Sequence, residues 1–416
     1  MSRILIIAYT HYFRDGRVRR HAEALAGRGD QVDVISLDHG DSGNHGGVNI
    51  VGLKIARYRG ASRARYLWSY LEFFARAART ALRLNSQGRY DVAIVCTMPD
   101  AAIVSALPLR LFGSRLVLDV HDTMPELYLD KFGGRRGALG AKLLMLEERL
   151  CAALVDRVLA VHQPHAERLI AAGVAAHKIR VVTNSPDTAV FTKFKARTPE
   201  QQVTIVCHGT ITNRLGLDIA LEALSLLRGQ VPDLRLEIIG EGDHLEEIKA
   251  MTKRLNLRDI VTFKPPVSID VLPTLLRNAA IGLVPNRPTE ATHLMLPVKL
   301  LEYISLGIPV ICARLRTVEH YFPEESLQYF EAGNASQLAH AIKMLYQQPL
   351  RRSALAGRAA QILRNLSWEN ERHHLFEAID SLLPGNGQGR GGNPLEVSGP
   401  GENDQPIAST SGKVRV

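Results

Sequence analysis

Leu296-Pro297-Val298-Lys299-Leu300-Leu301-Glu302-Tyr303-Ile304-Ser305-Leu306-Gly307-Ile308-Pro309-Val310-Ile311 is the stretch whose reading decides the fold. Pro297 suits the first turn of a helix, where a missing N–H costs nothing, and Gly307 suits the stop. The apolar run Pro309–Cys312 then reads as a buried strand. Lys299, Glu302 and Ser305 recur every three residues and put one polar stripe on an otherwise apolar helix. A lysine near the start of that stripe can pair with a phosphate. A carboxylate one turn later can accept two hydroxyls of a ribose. A solvated Lys–Glu surface pair explains the same spacing equally well.

Outward from this stretch, short β-branched runs alternate with amphipathic helical patterns, as they do in parallel α/β sheets. Upstream in the second half, strands are expected near Val203–Cys207, Leu234–Ile239, Ile260–Phe263 and Ile281–Val284. The first half repeats the architecture without repeating the sequence. Its expected strands are Ile4–Ala8, Val32–Ser36, Asp91–Thr97, Arg115–Val120, Arg157–Val161 and Ile179–Val182, with a helix at Arg17–Arg28 closed by Gly29. Residues 185–202 lose periodicity and carry Pro186 and Pro199, which marks a linker. The chain therefore divides into a domain over 1–184, the linker, a domain over 203–367, a helix over 368–383 and a tail over 384–416. That tail is rich in Gly, Pro, Asn and Ser and is expected to be disordered. Two such halves face each other across a cleft between strand C-terminal ends, where ligands of open α/β sheets bind.

The composition is that of a globular protein, with 46% apolar and 22% charged residues over 416 positions. Ser2-Arg3 runs into Ile4-Leu5-Ile6-Ile7, which reads as a first strand and not as a leader. No apolar run approaches the roughly 18 residues of a spanning helix. Cys96, Cys151, Cys207 and Cys312 are scattered without metal spacing and read as reduced core thiols of a cytoplasmic protein. The net charge of +9 lies wholly in residues 1–184, which hold 26 Lys/Arg against 17 Asp/Glu; the remainder holds 25 of each. An anionic partner of the first half is implied. Gly-x-Gly-x-x-Gly is missing from the first strand–helix turn, which argues against a dinucleotide enzyme, and no nucleic-acid motif accompanies the charge.

With these residues in hand a family resemblance emerges. Leu-Pro-x-Lys-Leu-Leu-Glu-Tyr followed by Gly-Ile-Pro-Val-Ile is similar to the nucleotide-sugar site of retaining GT-B glycosyltransferases of family four. Asp15-Gly16-Arg17-Val18 with Arg20 resembles that family's first loop and helix. Val117–Asp122 with Pro125-Glu126 resembles its mid-domain strand and cleft loop. His208-Gly209-Thr210 through Gly216-Leu217-Asp218 resembles the opening loop of its donor domain, and Ile238–Gly242 its second strand and glycine turn. The likeness covers roughly residues 1–383.

The resemblance implies a GT-B fold of two facing Rossmann-like domains, with the acceptor on the first and a nucleotide-sugar on the second. It implies a transferase that retains anomeric configuration and needs neither cofactor nor metal. Stabilising a diphosphate leaving group then falls to fixed donors: Arg214, Lys299 and the helix start near Leu215. Glu302 holds the ribose, and His121 lies beside the transferred sugar. Gly16, Arg17, Gly209, Thr210, Gly240, Glu241, Leu296 and Leu300 complete the expected donor site. Arg17 is expected to face the donor phosphates or an anionic acceptor. Three positions depart from the family pattern: Leu294 where many relatives carry a carboxylate, Thr210 for Arg, and Leu215 for Lys. Arg214 is the expected substitute, and Glu290 a second carboxylate approaching the sugar. These departures keep open a catalytically weak nucleotide-binding scaffold, and the shared architecture a nucleotide-sugar epimerase.

His121 can equally be a loop residue capping the turn beside Asp122, and Gly240-Glu241-Gly242 a mere tight turn. His11, His39, His162 and His165 read as ordinary loop or surface residues. Arg57–Arg83 holds seven Arg and one Glu interleaved with Tyr58, Tyr66, Trp68, Tyr70, Phe73 and Phe74. Such a helix suits an anionic membrane surface, an anionic acceptor, or burial of its aromatics in the core. The expected partners are thus the donor, a glycan or lipid-linked acceptor, and the membrane's inner face.

Overall fold

A computed structural model describes residues 1–37, 42–55, 63–192 and 203–383, excluding the side chains at positions 63, 64, 66 and 136. The 384–416 tail, residues 193–202 of the linker and the start of the Arg57–Arg83 segment lie outside the described residues.

In the first half, β1 (Arg3–Ala8) leads through α1 (Gly16–Gly27) to β2 (Gln31–Ser36), a hairpin of β3 (Gly43–His45) and β4 (Val48–Gly52), and α2 (Arg63–Gln87). Next come β5 (Val92–Cys96), two 3-10 turns over 100–112, β6 (Arg115–Val120), α3 (Met124–Phe132) and α4 (Gly134–Ala153). β7 (Arg157–Ala160), α5 (Gln163–Ala171) and β8 (Ile179–Val181) complete this half. The second half holds β9 (Val203–His208), α6 (Leu217–Leu227), β10 (Leu234–Ile239), α7 (Leu245–Arg254), β11 (Val261–Lys264), α8 (Leu272–Leu276) and β12 (Ile281–Val284). It continues through α9 (Glu290–His293), α10 (Val298–Ser305), β13 (Val310–Ala313), α11 (Arg316–Tyr321), β14 (Gln328–Phe330), α12 (Ala335–Gln347) and α13 (Pro349–Leu363) to α14 (Trp368–Asp380).

The strands form two sheets, in the orders β3-β4-β2-β1-β5-β6-β7-β8 and β11-β10-β9-β12-β13-β14. Every pairing is parallel except the β3–β4 hairpin at one edge. A parallel strand is covered on both faces and reads as a continuous apolar run, which is why β1, β5 and β12 stand out in the sequence. The hairpin and β14 escape that signal, because they are short strands at or next to a sheet edge, with polar residues at Asn44, Asn49 and Gln328.

Strand order reverses between β1 and β5 in the first sheet and between β9 and β12 in the second. Each reversal splits neighbouring loops to opposite sides of the sheet and leaves a crevice at the strand C-terminal ends. The first sheet is clothed by α2, α4 and α5 on one face and by α1 and α14 on the other. α14 reaches the first half from the end of the described chain. Trp368, Leu375 and Ile379 join the core under β1, and Glu371 accepts the Thr183 backbone N–H at 2.7 Å. All four cysteines are buried and free, three of them in β5, β9 and β13.

Candidate active site

The two sets of strand ends converge on a cleft of about 430 Å³. From the first half it receives Arg14–Arg17 and Arg20, His121–Thr123 after β6, His162 and His165 around the start of α5, and Asn184. From the second it receives Ile269, Leu294–Val298 and Glu302. Contacts on its rim already bridge the halves: Thr289 donates to Asp130 at 2.6 Å, the Gln163 N–H donates to the Tyr321 hydroxyl at 2.9 Å, and Arg19 pairs with Asp270 at 3.2 Å.

The floor on the first side is organised by Asp119, the fully buried penultimate residue of β6. Arg17 donates to it from Nε at 3.2 Å and from Nη2 at 2.6 Å, and from Nη1 to the Val182 carbonyl at 2.9 Å. His21 Nδ1 and His121 Nε2 approach the same carboxylate at 3.3 and 3.1 Å. Burial alone would raise the Asp119 carboxyl, but Arg17 and the two histidines hold it well below the usual range. The expectation for Arg17 is thereby corrected. Its guanidinium reaches the cleft floor but is neutralised from within its own domain, so it offers no charge to a phosphate.

Arg20, one turn along α1, takes over that position. It is buried, lies over Trp368, and donates to Asn184, while its Nε has no partner among the described residues. Burial and the neighbouring Arg17 lower its pKa to about 10, and the charge of Glu302 across the cleft raises it in part. It remains a cation at neutral pH and lines the cleft, where it feels the charge of Glu302. The sequence signal was the 17/20 spacing, which places both arginines on one helix face; it did not say which would be paired.

His162 and His165 are corrected too: both are almost fully buried. His162 caps α5 by accepting the His165 N–H at 3.1 Å, and its ring is hydrogen-bonded to the Leu294 backbone across the cleft. Burial lowers its pKa to about 3 and pushes His165 well below its ordinary value, so both are neutral imidazoles. Neither ring nitrogen of His165 has a partner among the described residues. His121 stands less buried at the mouth, with one ring nitrogen held by Asp119 and its backbone N–H on Thr97 at 3.0 Å.

On the second side, α10 turns Leu300, Leu301 and Ile304 into the core and leaves its polar stripe toward β9 and the cleft. Leu300 is therefore a core residue, which corrects its placement in the donor site. Glu302 Oε2 lies 3.2 Å from His208 Nε2, both side chains over nine-tenths buried, so the solvated surface pair is not what the stripe forms. Lys299 Nζ lies 3.9 Å from Cys207 Sγ, with its stem beside Gly209. Tyr303 locks this arrangement: its hydroxyl accepts the His208 N–H at 3.1 Å and donates to the Val206 carbonyl at 3.3 Å. Its ring sits where a Cβ on Gly282 would come within 2.4 Å.

Gly240 and Gly242 serve the backbone of the neighbouring loop. A Cβ on Gly240, at φ +154, would stand 1.9 Å from the Gly209 carbonyl oxygen, and one on Gly242 2.0 Å from that of Ile211. Ile211 N–H donates to the Glu241 carbonyl at 2.8 Å. The two loops are thus zipped together, and Gly209 and Thr210 stay exposed at their ends. Arg214 follows, ahead of α6, with its Nε unpartnered among the described residues and its charge felt by Asp122 and Asp130 of the first half. Leu296 lines the cleft. Glu290 does not: it pairs with Arg316 at 2.7 Å on the surface, which corrects its approach to a sugar. Among the described residues one grouping has metal-ligand character, Cys96, Asp119 and His121. Its carboxylate already pairs with Arg17, and burial keeps the Cys96 thiol protonated, a poor donor set for a cation.

Comparison with known proteins agrees with this geometry. The model of Glycosyltransferase Family 4 matches residues 17–190, and that of Glycosyl transferases group 1 matches residues 190–362. The putative colanic acid biosynthesis glycosyltransferase WcaL of Salmonella typhimurium is 27% identical over 187 residues, 44% of this chain and 43% of the relative. A GDP-mannose-dependent alpha-(1-6)-phosphatidylinositol monomannoside mannosyltransferase of Mycolicibacterium smegmatis is 28% identical over 180 residues, covering 42% and 47%. The chain spans less than half the length of these relatives. In structure it resembles sucrose-phosphate synthase from Thermosynechococcus elongatus (TM-score 0.73, 18% identity, 91% of this chain and 98% of that one). It also resembles HepE from Anabaena in complex with UDP and glucose (TM-score 0.69, 16% identity, 92% and 100%). With both of its halves matched in order on one two-sheet fold, the chain joins a Glycosyltransferase Family 4 domain to a Glycosyl transferases group 1 domain.

Proposed function

We propose that this chain moves a sugar from a nucleotide-activated donor, held by residues 203–367, to a glycan or lipid-linked acceptor held by residues 1–184. The observation that carries the reading is Glu302, a buried carboxylate facing His208 at 3.2 Å on the cleft side of α10. A buried acid without a full counter-charge is costly unless it serves a ligand, and two vicinal ribose hydroxyls are suitable donors to it. Relatives support the donor class: HepE was solved with UDP and glucose, and the mycobacterial relative is named for GDP-mannose. That relative's named acceptor, a phosphatidylinositol monomannoside, supports a lipid-linked one.

In this reading the diphosphate lies between Lys299, Arg214 and the N-terminal end of α6, with Arg20 approaching from the other domain. These fixed cations stabilise the leaving group without a metal ion. His121, its ring oriented by Asp119, offers the remaining nitrogen to a sugar hydroxyl. Departure and attack occur on the same face of the sugar, with retention. The neutral His162 and His165 line the acceptor side, where they hydrogen-bond without adding charge. Closure of the halves over the donor excludes water that would otherwise hydrolyse it. The reaction belongs to a reducing, cytoplasmic compartment, in which the four thiols persist.

Two measurements test this. Glu302→Ala is expected to weaken donor binding by about 1–3 kcal/mol, the loss typical of a charged hydrogen bond. A folded variant that binds with unchanged affinity removes Glu302 from the site. Proton NMR of the first-formed product reports the anomeric configuration, and an inverted product overturns retention.

A further inference from the structure

Among the described residues no helix is long and apolar enough to cross a membrane. One face of the first domain is nevertheless apolar on its outside. Leu139, Leu143, Leu146 and Leu150 recur at spacings of four, three and four along α4, and each is more than half exposed. A helix buries such a stripe against something. On α2, Phe73 enters the core and Tyr70 and Phe74 pack against it, whereas Leu67, Trp68 and Leu71 are half-exposed or more. α2 and α4 cover the same side of the sheet, and Ala102 and Ile103 of the 3-10 turn between them enter the same core. In the 3-10 turns that separate the two helices in the chain, Val104, Leu111 and Phe112 are exposed as well.

The charges on this face have one sign. The acids of α4 turn inward: Glu147 accepts the Ala101 N–H at 2.9 Å, and Glu148 pairs with Arg168. Glu72 of α2 is neutralised by Arg76 at 2.6 Å. Among the described residues, the charges left toward solvent on these helices include Lys142 and Arg149 on α4, and Arg79 and Arg83 on α2. A second copy packed on this face by a two-fold axis would bring those cations against their own images. An anionic lipid surface accepts both parts at once, leucines and Trp68 into the acyl boundary and cations among the headgroups.

We propose that the α2–α4 face docks the protein peripherally on an anionic bilayer. The surface abuts α3, whose first turn borders the cleft, so docking would bring a lipid-borne acceptor to the active site. That last consequence rests on the transferase reading; the docking does not.

The test is flotation of the full chain with vesicles of pure phosphatidylcholine, and with vesicles containing about one third phosphatidylglycerol. Binding is expected to the anionic vesicles and to be reversed by salt. Leu143→Ser/Leu146→Ser is expected to weaken it by roughly tenfold or more, and Lys142→Glu by roughly tenfold. Both variants alter exposed side chains and should keep the wild-type melting temperature and nucleotide affinity. Wild-type protein that ignores both vesicle types overturns the proposal. So does undiminished binding by both variants, or a dimer in sedimentation that Leu143→Ser/Leu146→Ser dissolves. None of these failures touches the donor site, which is read separately by nucleotide binding.

Discussion

Replacing Asp119 by asparagine keeps the size of the side chain and removes the charge that Arg17, His21 and His121 share. Arg17 is 2% exposed at its side chain and Asp119 not at all, so water cannot take over the lost interaction. Removing one partner of a buried ion pair typically costs about 3–5 kcal/mol, because the other charge is stranded. For a domain of this size that is a fall in melting temperature of about 10 °C. The two tryptophans make the assay selective. Trp68 lies on α2, and Trp368 stacks on His21 with ring centroids 5.6 Å apart, so both report on the first domain. Urea unfolding followed by tryptophan fluorescence should show the full loss in Asp119→Asn. Arg17→Met/Asp119→Leu, which strands no charge, should recover most of it. A single variant losing less than about 1 kcal/mol, or a double variant no better than the single, would refute the buried-hub account.

Three further outcomes are expected. Gly282→Ala forces a Cβ to within 2.4 Å of the Tyr303 ring and should cost about 1–3 kcal/mol while loosening His208, read as lower stability together with weaker nucleotide binding. Gly240→Ala drives a Cβ into the Gly209 carbonyl and should weaken nucleotide binding more than it lowers the melting temperature; unchanged affinity would detach that loop from the donor. His21 and His162, with pKa values lowered to about 4 and about 3, are neutral in the folded protein and charge only on unfolding as pH drops below about 6.5. The unfolded state then binds more protons, so stability falls with pH, by about 2 kcal/mol per histidine at pH 5. His162→Asn keeps a helix cap and should flatten that dependence.

Much of this architecture is legible in the chain because parallel strands are continuous apolar runs. Their C-terminal ends then locate the cleft, and Glu302 lines it. What spacing cannot convey is which of two like residues finds a partner. Arg17 and Arg20 share a helix face, yet Asp119, about a hundred positions away, neutralises one and leaves the other. His162 and His165 lack any local motif, yet both are buried, and the His162 ring meets the Leu294 backbone of the other domain. Leu300 and Lys299 are adjacent in sequence, yet Leu300 enters the core while Lys299 reaches toward Cys207 and Gly209. Glu290 resembled a site acid until Arg316, twenty-six residues on, claimed it. Each of these depends on tertiary partners, which no local period encodes.

The proposed nucleotide-sugar site lies in the second domain and works without a metal ion. Thermal shift of the full chain against nucleoside diphosphates and their sugars, with and without EDTA, tests it most directly. One nucleotide is expected to raise the melting temperature, EDTA to leave the shift in place, and Glu302→Ala to abolish most of it. A folded protein that no nucleotide stabilises, or a shift that EDTA removes, would contradict it.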